Sequence, residues 1–362
     1  MSLLPAVLCL AVAASHQDPA GQSETRRSRI FEPKPAHPKF AFGADLSFVK
    51  QAEDEGTVFK DGDTPKPALQ LYRETGHNWI RLRLFVEPVK ERLPNGLDYT
   101  LAMAKDAKKL GYKFLLDFHY AQSWADPAKQ PTPDAWLPLS HADRVQKVFE
   151  YTRDTIARFR DEGVLPDMVQ IGNEVRVGML WPDGRLPQNW DNFAEYVYAG
   201  INGVDAGRGN GLRPRIMIQY DDGAALAGCR DFYDRIAAYG IPYDVIGVSY
   251  YPWWHGTLQM LRENLAAMAH RFEKEVMVVE TAYHYRENGE TRGRPKPYPE
   301  TPEGQREFLD DVTKAVMDVP NGRGTGVFWW EPASARFGSR GCFDRDGKAL
   351  PAVYAFVKYT RG

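Results

Sequence analysis

The chain has 362 residues, 43% of them hydrophobic and 26% charged, an apolar content that supports a large buried core and excludes a disordered polymer. Its formal net charge of −2, with both signs interspersed, excludes a basic face for a nucleic-acid partner. Aromatic residues make up 12%, and many stand beside polar residues at the ends of predicted strands, where a ring can stack on a sugar as well as pack a core.

At the N-terminus, Leu3 to Ala14 is an apolar run of signal-peptide length, too short to span a bilayer. Residues 1–15 are therefore expected to be an export signal, giving a secreted, periplasmic or cell-surface protein without a membrane span, although no Lys or Arg precedes the run. Cys9 lies within it behind Leu8, where a lipidation site uses a small residue. Residues 16–39 are rich in Pro, Ser, Arg and His and are expected to be a disordered linker, leaving residues 40–362 as one catalytic domain. Beyond the leader only Cys229 and Cys342 remain, and the sequence leaves open whether they pair or stay as buried thiols.

From Phe40 onward, strand-like apolar runs alternate with amphipathic stretches. The runs are Phe40 to Asp45, Trp79 to Phe85, Lys113 to His119, Met168 to Asn173, Arg215 to Tyr220, Val245 to Tyr250, Val276 to Glu280 and Gly326 to Trp330. Between them, Tyr99 to Leu110 is a predicted helix with Asp98 as its cap. Ala142 to Asp161 is another, with Val145, Val148, Phe149, Thr152, Ile156 and Phe159 at helical spacing, and Gly76, Gly111 and Gly163 close such segments. Eight strand–helix units over roughly 320 residues predict a single-domain α/β fold, the (β/α)8 or TIM barrel, over an open doubly wound sheet.

In such a barrel the active site lies at the carboxyl ends of the strands, so the polar residues that end each run are the ones to collect. They are Asp45, Arg81 with Arg83, Asp117 with His119, Asn173-Glu174, Gln219, Ser249 with Tyr251, Glu280 and Trp330-Glu331. Glu174 and Glu280 stand out because each terminates an apolar run, where partial desolvation can drive two carboxyl pKa values apart. A retaining glycosidase needs that pair about 5 to 5.5 Å apart, one attacking the anomeric carbon and one protonating the leaving oxygen. Glu174 is thus the expected acid/base and Glu280 the expected nucleophile. Asn173 is placed to bond a sugar 2-hydroxyl, and Arg81 either holds the nucleophile ionised or forms a structural ion pair. His119 and Tyr251 are candidate donors. Trp124, Trp136, Trp181, Trp253 and Trp254 fall in predicted loops, where they serve as sugar platforms or clamp the loops onto the barrel.

Other chemistries lack their motifs. Gly247-Val248-Ser249-Tyr250-Tyr251 has Tyr where a nucleophile elbow requires its second Gly. Gly207-Arg208-Gly209-Asn210-Gly211 has the wrong spacing for a dinucleotide turn, and no His-Glu-x-x-His occurs. Asp344-Arg345-Asp346-Gly347 is too short for a calcium loop, so no metal or cofactor is expected.

From about Phe42 to Pro332 the chain resembles glycoside hydrolase family 53, the arabinogalactan endo-β-1,4-galactanases of the retaining barrel clan A. The resemblance is carried by Gly76-His77-Asn78-Trp79-Ile80-Arg81-Leu82-Arg83, Asp117-Phe118-His119-Tyr120, Trp124-Ala125-Asp126-Pro127 and Gln170-Ile171-Gly172-Asn173-Glu174. It continues through Gly178-Met179-Leu180-Trp181-Pro182, Gly247-Val248-Ser249-Tyr250-Tyr251-Pro252, Val278-Val279-Glu280-Thr281, Pro302-Glu303-Gly304-Gln305 and Trp330-Glu331-Pro332. It implies a barrel, β-1,4-galactan or type I arabinogalactan as the polysaccharide partner, and retention with Glu174 and Glu280 in the roles above. With the strand ends, these blocks give a substrate-binding set of Asp45, Arg81, His119, Tyr120, Trp124, Asn173, Asp221, Tyr251 and Trp330 in an enzyme expected to be monomeric.

The chain departs from the family pattern at three places. Gln219-Tyr220-Asp221-Asp222-Gly223 stands for His-Leu-Asp-Asn-Gly, Ala121-Gln122-Ser123 for Ser-Asp-Thr, and Leu46 for an aromatic. These changes bear on subsites and leave the two Glu intact. Some members carry calcium after strand seven, but Tyr283 to Thr301 shows no ligand pattern to carry over. The alternatives are a retaining endo-glycanase on another β-1,4-hexosan and a non-catalytic glycan-binding barrel.

Overall fold

The computed structural model describes residues 39–88 and 93–361, all of which fall in one compact unit. The expected signal, Cys9 and all of the linker but Lys39 lie outside the described residues. Eight strands, β1 (Ala41–Asp45), β2 (Trp79–Leu84), β3 (Lys113–Phe118), β4 (Met168–Ile171), β5 (Arg215–Tyr220), β6 (Val245–Tyr250), β7 (Glu275–Thr281) and β8 (Gly324–Trp330), form a closed barrel in chain order. Each neighbouring pair is parallel, and β8 closes onto β1 with Asp45 opposite Trp330. The outer ring holds α1 (Ala68–Glu74), α2 (Leu97–Lys109), α3 (His141–Asp161), α4 (Trp190–Gly207), α5 (Leu226–Ala238), α6 (Leu258–Phe272), α7 (Pro302–Met317) and the four-residue α8 (Val357–Thr360). The TIM barrel expected from the alternating pattern is the fold.

Helix ends follow local chemistry. Ser140 caps α3 by accepting the Asp143 N–H at 3.2 Å, and Gly76, Gly111 and Gly163 take φ of 100°, 80° and 73° just past their helices, where a Cβ would be strained. The cap expected at Asp98 is two residues out of place: Gly96 is the N-cap of α2, and Asp98 lies in its first turn, where its charge complements the helix dipole.

Inside the barrel Ala41, Trp79, Leu115, Met168, Met217, Val245, Met277, Val279 and Phe328 form a separate apolar plug. Small residues make room for large ones there: a Cβ on Gly43 would stand 2.2 Å from Phe328 Cδ1, and one on Gly247 2.6 Å from Met217 Sδ. Strand residues of the opposite parity, such as Ile80, Leu116, Ile171 and Val248, join the larger core beneath the helices. Because the apolar plug is at one level, the next layer toward the carboxyl ends is free to be polar. The register of β7 slips against β6 at Val248/Ser249 and against β8 between Val278 and Thr281, and such bulges re-aim side chains. Glu280 sits at that slip.

Cys229 and Cys342 are both free and buried, which settles the open alternative in favour of two thiols. No helix among the described residues is long and apolar enough to cross a membrane. Among them, too, no three His, Cys, Asp or Glu side chains are grouped to hold a metal ion.

Candidate active site

The polar layer is organised by Arg81, whose side chain is wholly buried near the middle of β2. Its Nη1 lies 3.0 Å from Asp45 Oδ2 and 2.7 Å from Glu280 Oε1, and its Nη2 lies 2.8 Å from both Asp117 Oδ2 and Asn173 Oδ1. Burial opposes the guanidinium charge, but Asp117, Glu280 and Asp45 outweigh it and raise its pKa, so the charge is permanent. The same balance works on Asp45: burial disfavours its ionised form, while Arg83, Arg81 and the Ser47 hydroxyl overcome that and hold it below the ordinary carboxyl value.

Glu280 is 5% exposed. Besides its ion pair with Arg81 it accepts hydrogen bonds from Gln219 Nε2 at 3.1 Å and from the Tyr251 hydroxyl at 3.2 Å. Two donors and the Arg81 charge compensate the carboxylate for the water it has lost.

Glu174 lies just beyond β4 on a left-handed residue, φ 50° and ψ 53°, after Gly172 with φ 76°. A non-glycine residue in that region costs about 1–2 kcal/mol, which the surrounding bonds offset. Its N–H donates to Gln219 Oε1 at 3.1 Å, and its Oε1 accepts from Ser249 Oγ at 2.7 Å. Its carboxyl is held well above the ordinary value, first by burial, then by the charges of Glu280 and Asp221, with the Ser249 hydrogen bond acting in the opposite sense. The two glutamates therefore have opposite surroundings, Glu280 paired with a cation and Glu174 buried beside two carboxylates that disfavour its ionised form.

Both glutamates line a cavity of about 540 Å³. Arg81, His119, Trp124, Asn173, Asp221, Tyr251 and Trp330 share its wall. His119 accepts the Ala125 N–H on Nδ1 at 3.2 Å, so its Nε2 carries the proton that meets Asp117 Oδ2 at 3.1 Å. Asn173 is fixed at both ends, Nδ2 donating to Ala125 O at 2.7 Å. Asp221 is held bidentately by Arg176 at 2.6 and 2.9 Å beside Glu174. Tyr120 is not brought to the cavity: it takes a left-handed backbone, φ 51°, its ring stacks on Phe118, and its hydroxyl meets Thr152 Oγ1 of α3 at 2.8 Å.

The loop tryptophans divide in the same way. Trp124 and Trp254 face the cavity, whereas Trp136 and Trp253 are buried and pack loops against the body. Trp181 caps the Arg185 guanidinium at 4.3 Å outside the cavity wall.

The profile of glycosyl hydrolase family 53 matches residues 41–356. The chain belongs to that family. An arabinogalactan endo-β-1,4-galactanase of Thermothelomyces thermophilus is 34% identical over 87% of this chain and 98% of its own length. A protein of Niallia circulans described as uncharacterized is 40% identical over 81% of this chain and 84% of its own. The family 53 catalytic domain of Ignisphaera aggregans superposes with a TM-score of 0.81 at 30% identity, covering 89% of this chain and 96% of that one. This family 53 protein is thus a glycoside hydrolase.

The polar layer also holds residues to which the sequence reading gave no specific part in the chemistry. Gln170 and Gln219 are polar positions inside apolar strands, a signal the sequence did carry, and their amides join Asp117, Glu174 and Glu280 into one network. Arg83 bridges Asp45 at 2.9 Å and Glu331 at 2.8 Å beneath the Trp124 ring, 4.6 Å away. Arg340 reaches the cavity wall from the loop after β8, packed between Trp254 and Trp330 at 5.4 and 5.5 Å. Nothing in its flanking sequence marks it.

Proposed function

We propose that this hydrolase is a retaining endo-β-1,4-galactanase that cuts internal bonds of galactan or type I arabinogalactan, with Glu174 as acid/base and Glu280 as nucleophile. The observation that carries this reading is the pair of glutamates on one cavity wall with opposite electrostatic surroundings. In the first step Glu280 attacks the anomeric carbon as the glycosidic C–O bond breaks, and Glu174 gives its proton to the leaving oxygen. In the second, water attacks the same carbon, Glu174 takes the water's proton, and Glu280 leaves as a carboxylate. Two inversions at one carbon give retention.

Arg81 supports both steps without moving. It stabilises Glu280 as an anion before attack and again on departure, while Tyr251 and Gln219 keep one lone pair of that carboxylate aimed into the cavity. Trp124, Trp254 and Trp330 present ring surface along the cavity for stacking on galactosyl units. The galactan assignment is supported by relatives described as arabinogalactan endo-β-1,4-galactanases. A polymeric substrate of this kind suits an exported, monomeric enzyme, in keeping with the expectation that the apolar run Leu3 to Ala14 is an export signal.

The test compares purified protein on galactan, mannan and cellulose. Release of galacto-oligosaccharides with β configuration at the new reducing end is expected from galactan alone. Glu280→Ala should remove turnover with the fold intact. Release only from mannan or cellulose would overturn the substrate, α-configured products the retaining mechanism, and near-normal turnover in Glu280→Ala the nucleophile.

A further inference from the structure

Gln219 and Ser249 stand between the two glutamates, and their hydrogen bonds run in one consistent direction, fixed at the Gln219 end by obligatory donors. Gln219 is wholly buried. Its Oε1 receives the Glu174 N–H at 3.1 Å, Arg81 Nη2 at 3.4 Å and Gln170 Nε2 at 2.7 Å. A backbone N–H and a guanidinium can only donate, so the amide oxygen must be on that side and the amide nitrogen on the other. The Gln170 amide is fixed by the same logic, because its nitrogen also meets Asp117 Oδ1 at 2.7 Å and Gly172 O at 3.0 Å, both acceptors.

Gln219 Nε2 therefore donates in both its directions, to Glu280 Oε1 at 3.1 Å and to Ser249 Oγ at 3.0 Å. Ser249, also wholly buried, accepts there and has a single proton left, which goes to Glu174 Oε1 at 2.7 Å. While Ser249 donates to it, Oε1 does not carry a proton along that same contact. Among the described residues Glu174 Oε2 makes no hydrogen bond.

We propose that Gln219 and Ser249 are positioning residues that confine the proton of Glu174 to Oε2, the oxygen open to the glycosidic bond. This deepens the proposed mechanism and rests on Glu174 being the acid/base. The device uses only an amide and a hydroxyl, so its polarity does not invert with pH as that of an imidazole would. The charged and titratable groups that face Glu174 are Glu280 on β7, Arg81 on β2, Asp221 after β5 with its partner Arg176, and Tyr251 and His255 after β6. Among the described residues none of these groups hydrogen-bonds the Glu174 carboxyl, whereas the Ser249 hydroxyl does so directly. Removing it takes away a donor that favours the ionised form.

The experiment is the pH profile of kcat/KM on galactan for the full-length enzyme and its variants. In Ser249→Ala the basic limb, where the acid loses its proton, should move to higher pH, and Ser249→Thr should return it toward the wild-type position. Should Ser249→Ala fold poorly, Ser249→Cys, whose thiol is a weak donor, should give the same upward movement. Gln219→Met breaks the same chain one link earlier, so in the double variant with Ser249→Ala the limb should coincide with that of Ser249→Ala alone. A limb that stays in place or moves down in Ser249→Ala, or a double variant whose movements add, would overturn the proposal, since simple structural loss lowers the rate at every pH alike. Glu174→Ala separates the two levels. If it abolishes the basic limb while Ser249→Ala leaves that limb unmoved, only the relay fails. If Glu174→Ala keeps the limb, the acid/base assignment fails with it.

Discussion

Replacing Arg81 by lysine keeps the charge at the centre of the site and removes the fork. Arg81 divides its contacts between two nitrogens, Nη1 holding Asp45 and Glu280 and Nη2 holding Asp117 and Asn173. One ammonium on a shorter stem cannot occupy both places, so at least two of these bonds are lost. Hydrogen bonds to charged groups contribute about 1.5–3 kcal/mol each, so the loss is about 3–6 kcal/mol, against a total stability of about 5–15 kcal/mol for a folded domain. Urea unfolding of Arg81→Lys should show a lower midpoint with an unchanged slope, and galactan turnover should fall by about a hundredfold or more because Glu280 is no longer aimed. Unchanged turnover together with a stability change under about 0.5 kcal/mol would refute the claim that the fork organises the layer.

Glu331 is held well above the ordinary carboxyl value chiefly by burial, with Arg83 opposing and Asp45 reinforcing the shift. Between the ordinary and the raised value the folded chain keeps a proton that the unfolded chain releases, so this group makes stability fall as pH rises through that window. Glu331→Gln cannot titrate, and its stability relative to wild type should rise with pH across the window in denaturation series; a constant difference would contradict the protonated state. Tyr120→Phe removes only the Thr152 contact, so it should cost about 0.5–1.5 kcal/mol in urea unfolding and leave kcat/KM on galactan unchanged. A fall in kcat/KM would return Tyr120 to the substrate. Gly43→Ala places a methyl 2.2 Å from the Phe328 ring and should destabilise by about 1–3 kcal/mol, whereas wild-type stability would mean the barrel interior is looser than its packing.

The barrel was legible in the chain because strands buried on both faces leave apolar runs of a distinct length, and all eight expected runs became strands. The rule that barrel sites lie at carboxyl strand ends then selected Glu174, Glu280, Arg81 and Asn173 without any coordinates, and the cavity gathers all four. Local chemistry was less certain at boundaries: Asp98 has a capping side chain, yet Gly96 supplies the N-cap of α2 because backbone geometry, not residue type, sets where the first turn begins.

What the sequence by itself determined is the order of strands and helices and the set of polar residues at one rim, since both follow from the periodicity of hydrophobic burial. Only the tertiary structure decided where those polar groups point. Tyr120 and His119 are neighbours in the chain, yet one turns outward to Thr152 and the other inward to Asp117, because consecutive side chains leave a strand end on opposite faces. The tie between Gln219, Ser249 and both glutamates joins residues 30 to 75 positions apart, and it exists only when closure of the barrel brings β4, β5, β6 and β7 around one buried amide.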